Sequence, residues 1–314
     1  MLNAHKDQYL TGLSAGIFPE GFAGEFIAPT IPVKKDTNKI VAYEKDHLRL
    51  PASAVGDSNP ATILDFTSNE LTYTCVRNAL KSLCYKREIK RADNPIKPIE
   101  AKTRMLTSMI QLWREYQIAY LAVTSGNYAS GMTSSPTQWN AANGTGNPIS
   151  DVSTAIAAIK ANLAGLPHGA GKNFVGVVDS DGWKQLKDHP EIIDRTKRHQ
   201  MGTTEDSVAE VLDLKKLVVA SVQYNSTAVG QTPSMTSLWG KNMVVAYVDP
   251  NPSEYTATAF LTFSYENQVR KAQEADPEGT WVIVERSIDV LPLLVDTVSS
   301  GKISGAYLLS SVVA

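Results

Sequence analysis

The N-terminal third of this chain carries apolar side chains that it cannot bury by itself. From Met1 to about Thr30 the residues Gly12, Gly16, Pro19, Gly21, Gly24 and Pro29 interrupt every run. Leu10, Ile17, Phe18, Phe22, Phe26 and Ile27 nevertheless stand among them. Apolar residues with neither a helix nor a strand period describe an arm laid across another surface. From Ile31 to Pro95 the pattern is extended. Lys39-Ile-Val-Ala-Tyr43 is strand-like, Pro51 to Pro60 is punctuated by glycine and proline, and Leu71-Thr-Tyr-Thr-Cys75 alternates as a half-buried strand does. Two extended runs around a polar middle make a long protruding hairpin, with too little core to stand alone. Arm and hairpin must both lean on something else.

Pro98 opens the strongest helix, since proline is tolerated in the first helical turn. Leu106, Met109, Trp113, Tyr116, Tyr120 and Val123 follow one another at steps of three and four and so line one face. Lys102, Arg104, Arg114 and Glu115 mostly occupy the rest. At about 1.5 Å per residue the helix is roughly 40 Å long, and its stripe ends at Ser125 without resuming, unlike a coiled coil. Ser125 to Gly146, rich in Gly, Ser, Thr and Asn, reads as a long loop. A second helix capped by Ser150 or Asp151 places Val152, Ile156, Ile159 and Leu163 on one face. Strand Asn173–Val178, a short helix around Trp183–Leu186 and a helix from Thr203 to Leu214 come next, with Thr203 and Asp206 as an imperfect capping box. Strands then dominate: Leu217–Gln223, Asn242–Val248, Thr256–Phe263, Trp281–Glu285 and Ala306–Val313. The order mixes helix and strand without regular β-α-β alternation, an α+β pattern, and contains no internal repeat.

Composition narrows the function. The 314 residues suffice for one large domain or two modest ones, and 43% hydrophobic with 20% charged residues is ordinary for a globular protein. Thirty basic against 32 acidic residues, a formal net charge of -2, give no broad basic surface for gripping nucleic acid. Cys75 and Cys84 form neither a disulfide framework nor a metal motif and read as two small buried hydrophobes in a reducing cytoplasm. Met1 to Leu13 lacks a signal-peptide layout, and no apolar run approaches the roughly 20 residues of a membrane helix. The expected place of synthesis is a cytoplasm.

Motifs of chemistry are weak. Gly12-Leu-Ser14-Ala-Gly16 matches the letters of a hydrolase nucleophile elbow, but no strand precedes it and glycines and prolines follow where the helix should run. Gly169-Ala-Gly171-Lys172 has Leu166 where a phosphate loop needs glycine and Asn173 where it needs Ser or Thr, and it feeds a strand. His5, His47, His168, His189 and His199 form no zinc spacing. Asp179 with Asp181 is the one close acidic pair after an apolar strand, where either a metal site or an Asp-supported turn would fit.

Three stretches, in their order, resemble the major capsid proteins of tailed bacteriophages, which share the Hong Kong 97 (HK97)-like fold. Trp183-Lys-Gln-Leu186, Asp188-His-Pro190 and Ile193 follow strand Phe174–Val178. Leu238-Trp-Gly-Lys241 runs into strand Val244–Val248 and Asp249-Pro250. Leu71 to Pro95, with Tyr73, Leu80, Arg87 and Asn94-Pro95, leads to the long helix. The resemblance spans the chain from Pro32 to the last strand. It implies an N-terminal arm (1–30), an extended loop (31–95), a peripheral domain with the spine helix (96–166 and 251–314) and an axial domain (167–250), to which the last strand could return.

The implied function is a structural shell subunit, not an enzyme, with no cofactor and no metal. Its implied partners are copies of itself in hexamers and pentamers, a separate scaffolding protein, a portal and a decoration protein. The shell would enclose double-stranded DNA without sequence-specific binding, assemble in a bacterial cytoplasm and end in the virion, with no membrane involved. Lys34, Lys35, Arg87 and Arg91, at the two ends of the extended loop, are the expected inter-subunit contacts. Two alternatives stand beside it: an encapsulin-type nanocompartment shell, which encloses an enzyme cargo, and a hydrolase using Ser14 or the Asp179 and Asp181 pair.

Overall fold

Two five-stranded sheets organise the protein, which a computed structural model describes over residues 5–17, 20–42, 69–92, 97–162, 173–198, 202–228, 230–253, 256–296 and 301–313. The first sheet is built on one long hairpin, β12 (Phe260–Ala275) and β13 (Glu278–Pro292), turned at Asp276 and Pro277. β5 (Val76–Tyr85) pairs antiparallel with β13, while β1 (His5–Lys6) pairs antiparallel and β2 (Thr30–Pro32) parallel with β12. A bulge between Ser264 and Asn267 shifts the hairpin register. Sequence pattern finds only parts of these strands, Thr256–Phe263 and Trp281–Glu285. The remainder of β12 is dominated by Arg270, Lys271, Gln273 and Glu274, whose extended backbone is held by the ladder more than by apolar alternation.

The second sheet runs β6 (Thr133–Ser134), β16 (Ala306–Leu309), β11 (Met243–Tyr247), β7 (Phe174–Asp179), β8 (Lys216–Ala220). β7 and β8 are parallel, and β11 is antiparallel to both its neighbours. Every residue of β7, β11 and β16 is buried. Strands covered on both faces read as unbroken apolar runs, which is why these three are plain in the sequence. Helix α5 (Pro148–Asn162) packs on β16 and β11, α6 (Ser180–Lys187) packs on β7 and β8, and α8 (Glu205–Val211) packs on β8. Two-stranded pairs β3 (Thr37–Ala42) with β4 (Asn69–Thr74), β9 (Gln223–Asn225) with β10 (Met235–Ser237) and β14 (Val295–Asp296) with β15 (Lys302–Ile303) complete the strands.

Four local expectations need correction. The arm holds helix α1 (Gln8–Ala15), begun where the Asp7 carboxylate accepts the Leu10 N–H at 2.9 Å and held by Leu10 packing on Leu106, Ile110 and Val282. Its helical period is too short to show against the glycines. A further short helix, α2 (Gly24–Ile27), follows in the same arm. Lys86–Arg91 is helix α3 within a stretch read as extended, and Pro190–Arg198 is helix α7 where the sequence pattern placed no element. The capping box of α8 sits one residue later than expected, with Thr204 and Ser207 bonding each other's backbone N–H.

At the base of the β3–β4 pair, Tyr73 stacks on Phe263 with ring centroids 4.4 Å apart, and Ile31, Ile40 and Leu293 pack with them. The expected strand end Tyr43, the loop middle Pro51–Pro60, Asn94-Pro95, Leu163 and the Gly169–Lys172 motif lie outside the described residues, as do His47, His168 and His199.

Candidate functional site

The surface of a long central helix and the charges anchoring it form the candidate site. α4 (Pro98–Val123) starts with Pro98 in its first turn, and its 26 residues extend as the spacing predicts. The direction of its stripe is unexpected. Leu106 turns inward, but Met109, Trp113, Tyr116 and Tyr120, with Met105 beside them, face out. Met105 is 62% exposed and Tyr120 58%. The inward face mixes Ile110, Ile118, Ala119 and Ala122 with Thr107, Gln111, Arg114 and Glu115. Polar residues turn inward there because the arm offers them partners, leaving the aromatic side to the surface. Tyr116 stacks on Tyr120 and meets Tyr224 edge-on at 5.7 Å, so this face continues onto β9.

Glu115 is the centre of the inward face and is fully buried. Its Oε1 accepts the Ala23 N–H at 2.8 Å, the Gly24 N–H at 2.9 Å and the Trp239 Nε1–H at 2.9 Å, and its Oε2 accepts Gly24 at 3.0 Å. One carboxylate thus ties three parts of the chain: the arm at the start of α2, the spine helix, and the Trp239 loop before β11. A buried carboxylate is tolerated when donors saturate it in this way. The approach is close enough that a Cβ on Gly24 would meet Glu115 Oε2 at 2.6 Å and Ile118 Cδ1 at 2.8 Å. Sequence reasoning placed Glu115 on the charged side of the helix. The available signal was an acidic residue one step from an arginine, flanked by apolar positions.

A second charged group fastens the edge strand. Glu285 on β13 pairs with Arg270 on β12 and Arg77 on β5. Burial alone would push its carboxyl up, but the two guanidiniums outweigh that and hold it below the usual carboxylate range. β5 is an edge strand among the described residues, and it turns Val76, Leu80 and Tyr85 outward. Exposed strand edges with apolar side chains are ready sites for pairing with another chain.

The sequence candidates fall at two separate places. Lys34 and Lys35 are exposed in the bend between β2 and β3, near Cys75, whose N–H bonds to the Asp36 carbonyl at 2.8 Å. Arg87 and Arg91 are exposed on α3, a full β5 away, or about 33 Å of extended chain. They line a cleft with Lys86, Lys102 and Glu278, of which Lys86 pairs with Glu278. Both cysteines are buried and free, and burial pushes the Cys75 thiol up to about 11.

The residues considered for chemistry have structural partners. Ser14 lies within helix α1, not on a strand-to-helix elbow, and its hydroxyl bonds Thr107 Oγ1 at 3.0 Å inside the protein. Asp179 caps α6, accepting the Asp181 N–H at 3.3 Å and the Ser237 hydroxyl. The turn function of this aspartate is therefore the one the fold uses. Buried His189 places Nε2 3.3 Å from the Thr145 carbonyl. Among the described residues no group of three or more His, Cys, Asp or Glu is arranged for a metal, and no helix is long and apolar enough to cross a membrane.

No family model matches the chain. In sequence it is similar to the major capsid protein of Burkholderia phage BcepMu, 27% identical over 249 residues that span 77% of this chain and 76% of the relative. In structure it is similar to a phage-related protein from Bordetella bronchiseptica, with a TM-score of 0.74, 20% identity, and coverage of 98% of this chain and 97% of that one. The capsid of cyanophage P-SCSP1u shares the fold at a TM-score of 0.59 and 11% identity, covering 94% of this chain and 89% of that one. With this relative in sequence and these neighbours in fold, the chain is similar to the phage major capsid proteins and has the HK97-like α+β architecture.

Proposed function

We propose that the chain builds the icosahedral shell of a tailed phage, as hexamers and pentamers that enclose double-stranded DNA without reading its sequence. The observation that carries this is the outward apolar face of α4, Met105, Met109, Trp113, Tyr116 and Tyr120, on the outside of a subunit with a large buried apolar core of its own. A contiguous exposed apolar face is the mark of a surface meant to be covered. A shell covers it with neighbouring copies, and closure multiplies each modest contact. The chain acts as structure and not as an enzyme, a role supported by its capsid relative and by the structural partners of Ser14 and Asp179.

The proposed division is arm 1–30, extended loop 31–95, peripheral domain 96–166 with 251–314, and axial domain 167–250. The pairing of β16 with β11 favours giving the last strand to the axial sheet. Assembly in a bacterial cytoplasm with separate scaffolding and portal proteins, and a final place in the virion, belong to the same proposal. So does a decoration protein on the finished shell.

The test is expression alone, followed by size exclusion and negative-stain electron microscopy. Shells, tubes or capsomer rings are expected, and a nuclease-protected DNA content separates a genome container from a cargo-loaded nanocompartment. A monomer at all concentrations and salts, even with its scaffolding protein added, would overturn the proposal. In the same assay, reversing Lys34, Lys35, Arg87 and Arg91 to Glu is expected to block assembly, and normal shells from that variant would remove these four from the interface.

A further inference from the structure

A cavity of about 200 Å³ lies where the arm crosses the bulged hairpin, lined by Ser14, Glu25, Thr30, Asn267, Arg114 and Arg286 among others. Its volume is several times the roughly 30 Å³ that one water takes in the liquid. Its two arginines come from different elements, Arg114 from α4 and Arg286 from β13, and are 7% and 9% exposed. Arg114 pairs with Glu25 and donates Nη1 to the Thr30 hydroxyl at 3.3 Å. Arg286 donates Nη2 to the Ser14 carbonyl at 3.2 Å and has no carboxylate at ion-pair distance among the described residues. The Nε of each arginine is buried without a hydrogen-bond partner.

Two guanidiniums against one carboxylate leave an excess positive charge in a buried place. Burial and the facing Arg114 both disfavour the charged form of Arg286, and Glu25 offsets them only in part. Arginine keeps its proton regardless, so the charge calls for a counter-ion. We propose that this cavity is an oxyanion site, taking one carboxylate or phosphate-type group against Arg286 with Arg114 as the second cation. The planar fork of a guanidinium matches both groups. The group has two possible sources, a dissolved anion or an acidic side chain of a second copy in the assembled shell.

Titrating inorganic phosphate into the unassembled chain at constant ionic strength, followed by calorimetry and by melting temperature, tests the site whether or not shells form. Saturable binding with a rising melting temperature is expected for the native chain. Arg286→Met should lose it, and Glu25→Gln, which removes the only competing carboxylate of the lining among the described residues, should bind severalfold tighter. The half-exposed Glu25 keeps the test decisive if Arg286→Met fails to fold. Lack of saturable phosphate binding by both the native chain and Glu25→Gln overturns the proposal, as does unchanged affinity in Arg286→Met. Repeating the titration on shells separates the sources. Binding that persists assigns the site to a dissolved anion, and binding that disappears on assembly assigns it to a neighbour's carboxylate.

Discussion

The two sheets of this subunit use apolar residues in opposite ways. In the sheet of β7, β11 and β16 nearly all apolar side chains are inside, and Phe174, Tyr247 and Trp239 are almost fully buried. In the sheet of β12, β13 and β5, the covering helix α4 turns its aromatic stripe outward, and β5 exposes Val76, Leu80 and Tyr85. The first sheet is stabilised by its own core. The second has smaller apolar cores, Leu106 and Ile110 on Val269, Val282 and Val284 among them, adds the charged anchors Glu115, Glu285 and Arg114, and keeps the outer face of α4 exposed for contact. Directional anchors fix the geometry of a surface while leaving its apolar side chains free, which burial in a common core cannot do.

Substitutions can break or sharpen this contrast. The largest loss is expected in the first sheet: Phe174→Ala, deleting a ring packed edge-on to Tyr247 at 5.9 Å, should cost the unassembled chain about 3–5 kcal/mol in urea unfolding. A cost below about 1 kcal/mol would show that this sheet is not the stabilising core. Next comes the anchor. Glu115→Gln keeps the shape and, with its carbonyl oxygen in the place of Oε1, sets an amide donor against the Gly24 N–H where Oε2 accepted it, and about 2–3 kcal/mol should be lost. Limited proteolysis should then cut the arm before the core, and an arm as resistant as in the native chain would mean that Glu115 does not hold it. Smallest of all, Met105→Ser with Tyr120→Ser should shift subunit stability by only about 0.5–1 kcal/mol, as exposed sites do, while sharply reducing shell yield. A stability loss comparable to that of Phe174→Ala would erase the distinction between the two sheets.

Legibility in the sequence followed the same division. The buried strands Phe174–Asp179 and Met243–Tyr247 and the long helix from Pro98 to Val123 stand out, because continuous apolar runs and a sustained step of three and four are local signals. Helix α1 did not show, since its eight residues include Gly12 and Thr11 and its stability comes from Leu10 packing on α4 and the sheet. The long polar half of β12 was missed for a related reason: its ladder partner, not its own pattern, keeps it extended. Of the site, the four charges at the ends of the extended loop were visible as charges. Glu115 and Arg286 were not visible as anchors, because their partners lie 91 or more residues away in the chain.

By itself, then, the sequence determined the α+β order of elements, the length and stripe of the spine helix, the buried strands of one sheet, and an N-terminal third in need of support. These depend on periodicity and composition, which are properties of neighbouring residues. Tertiary structure alone decided which way the aromatic stripe faces, that one carboxylate joins arm, spine helix and the Trp239 loop, and that two distant arginines share a cavity. Those outcomes depend on which surfaces compete for burial, and a helix with two passable faces settles that competition only when the arm and the sheet arrive to cover one of them.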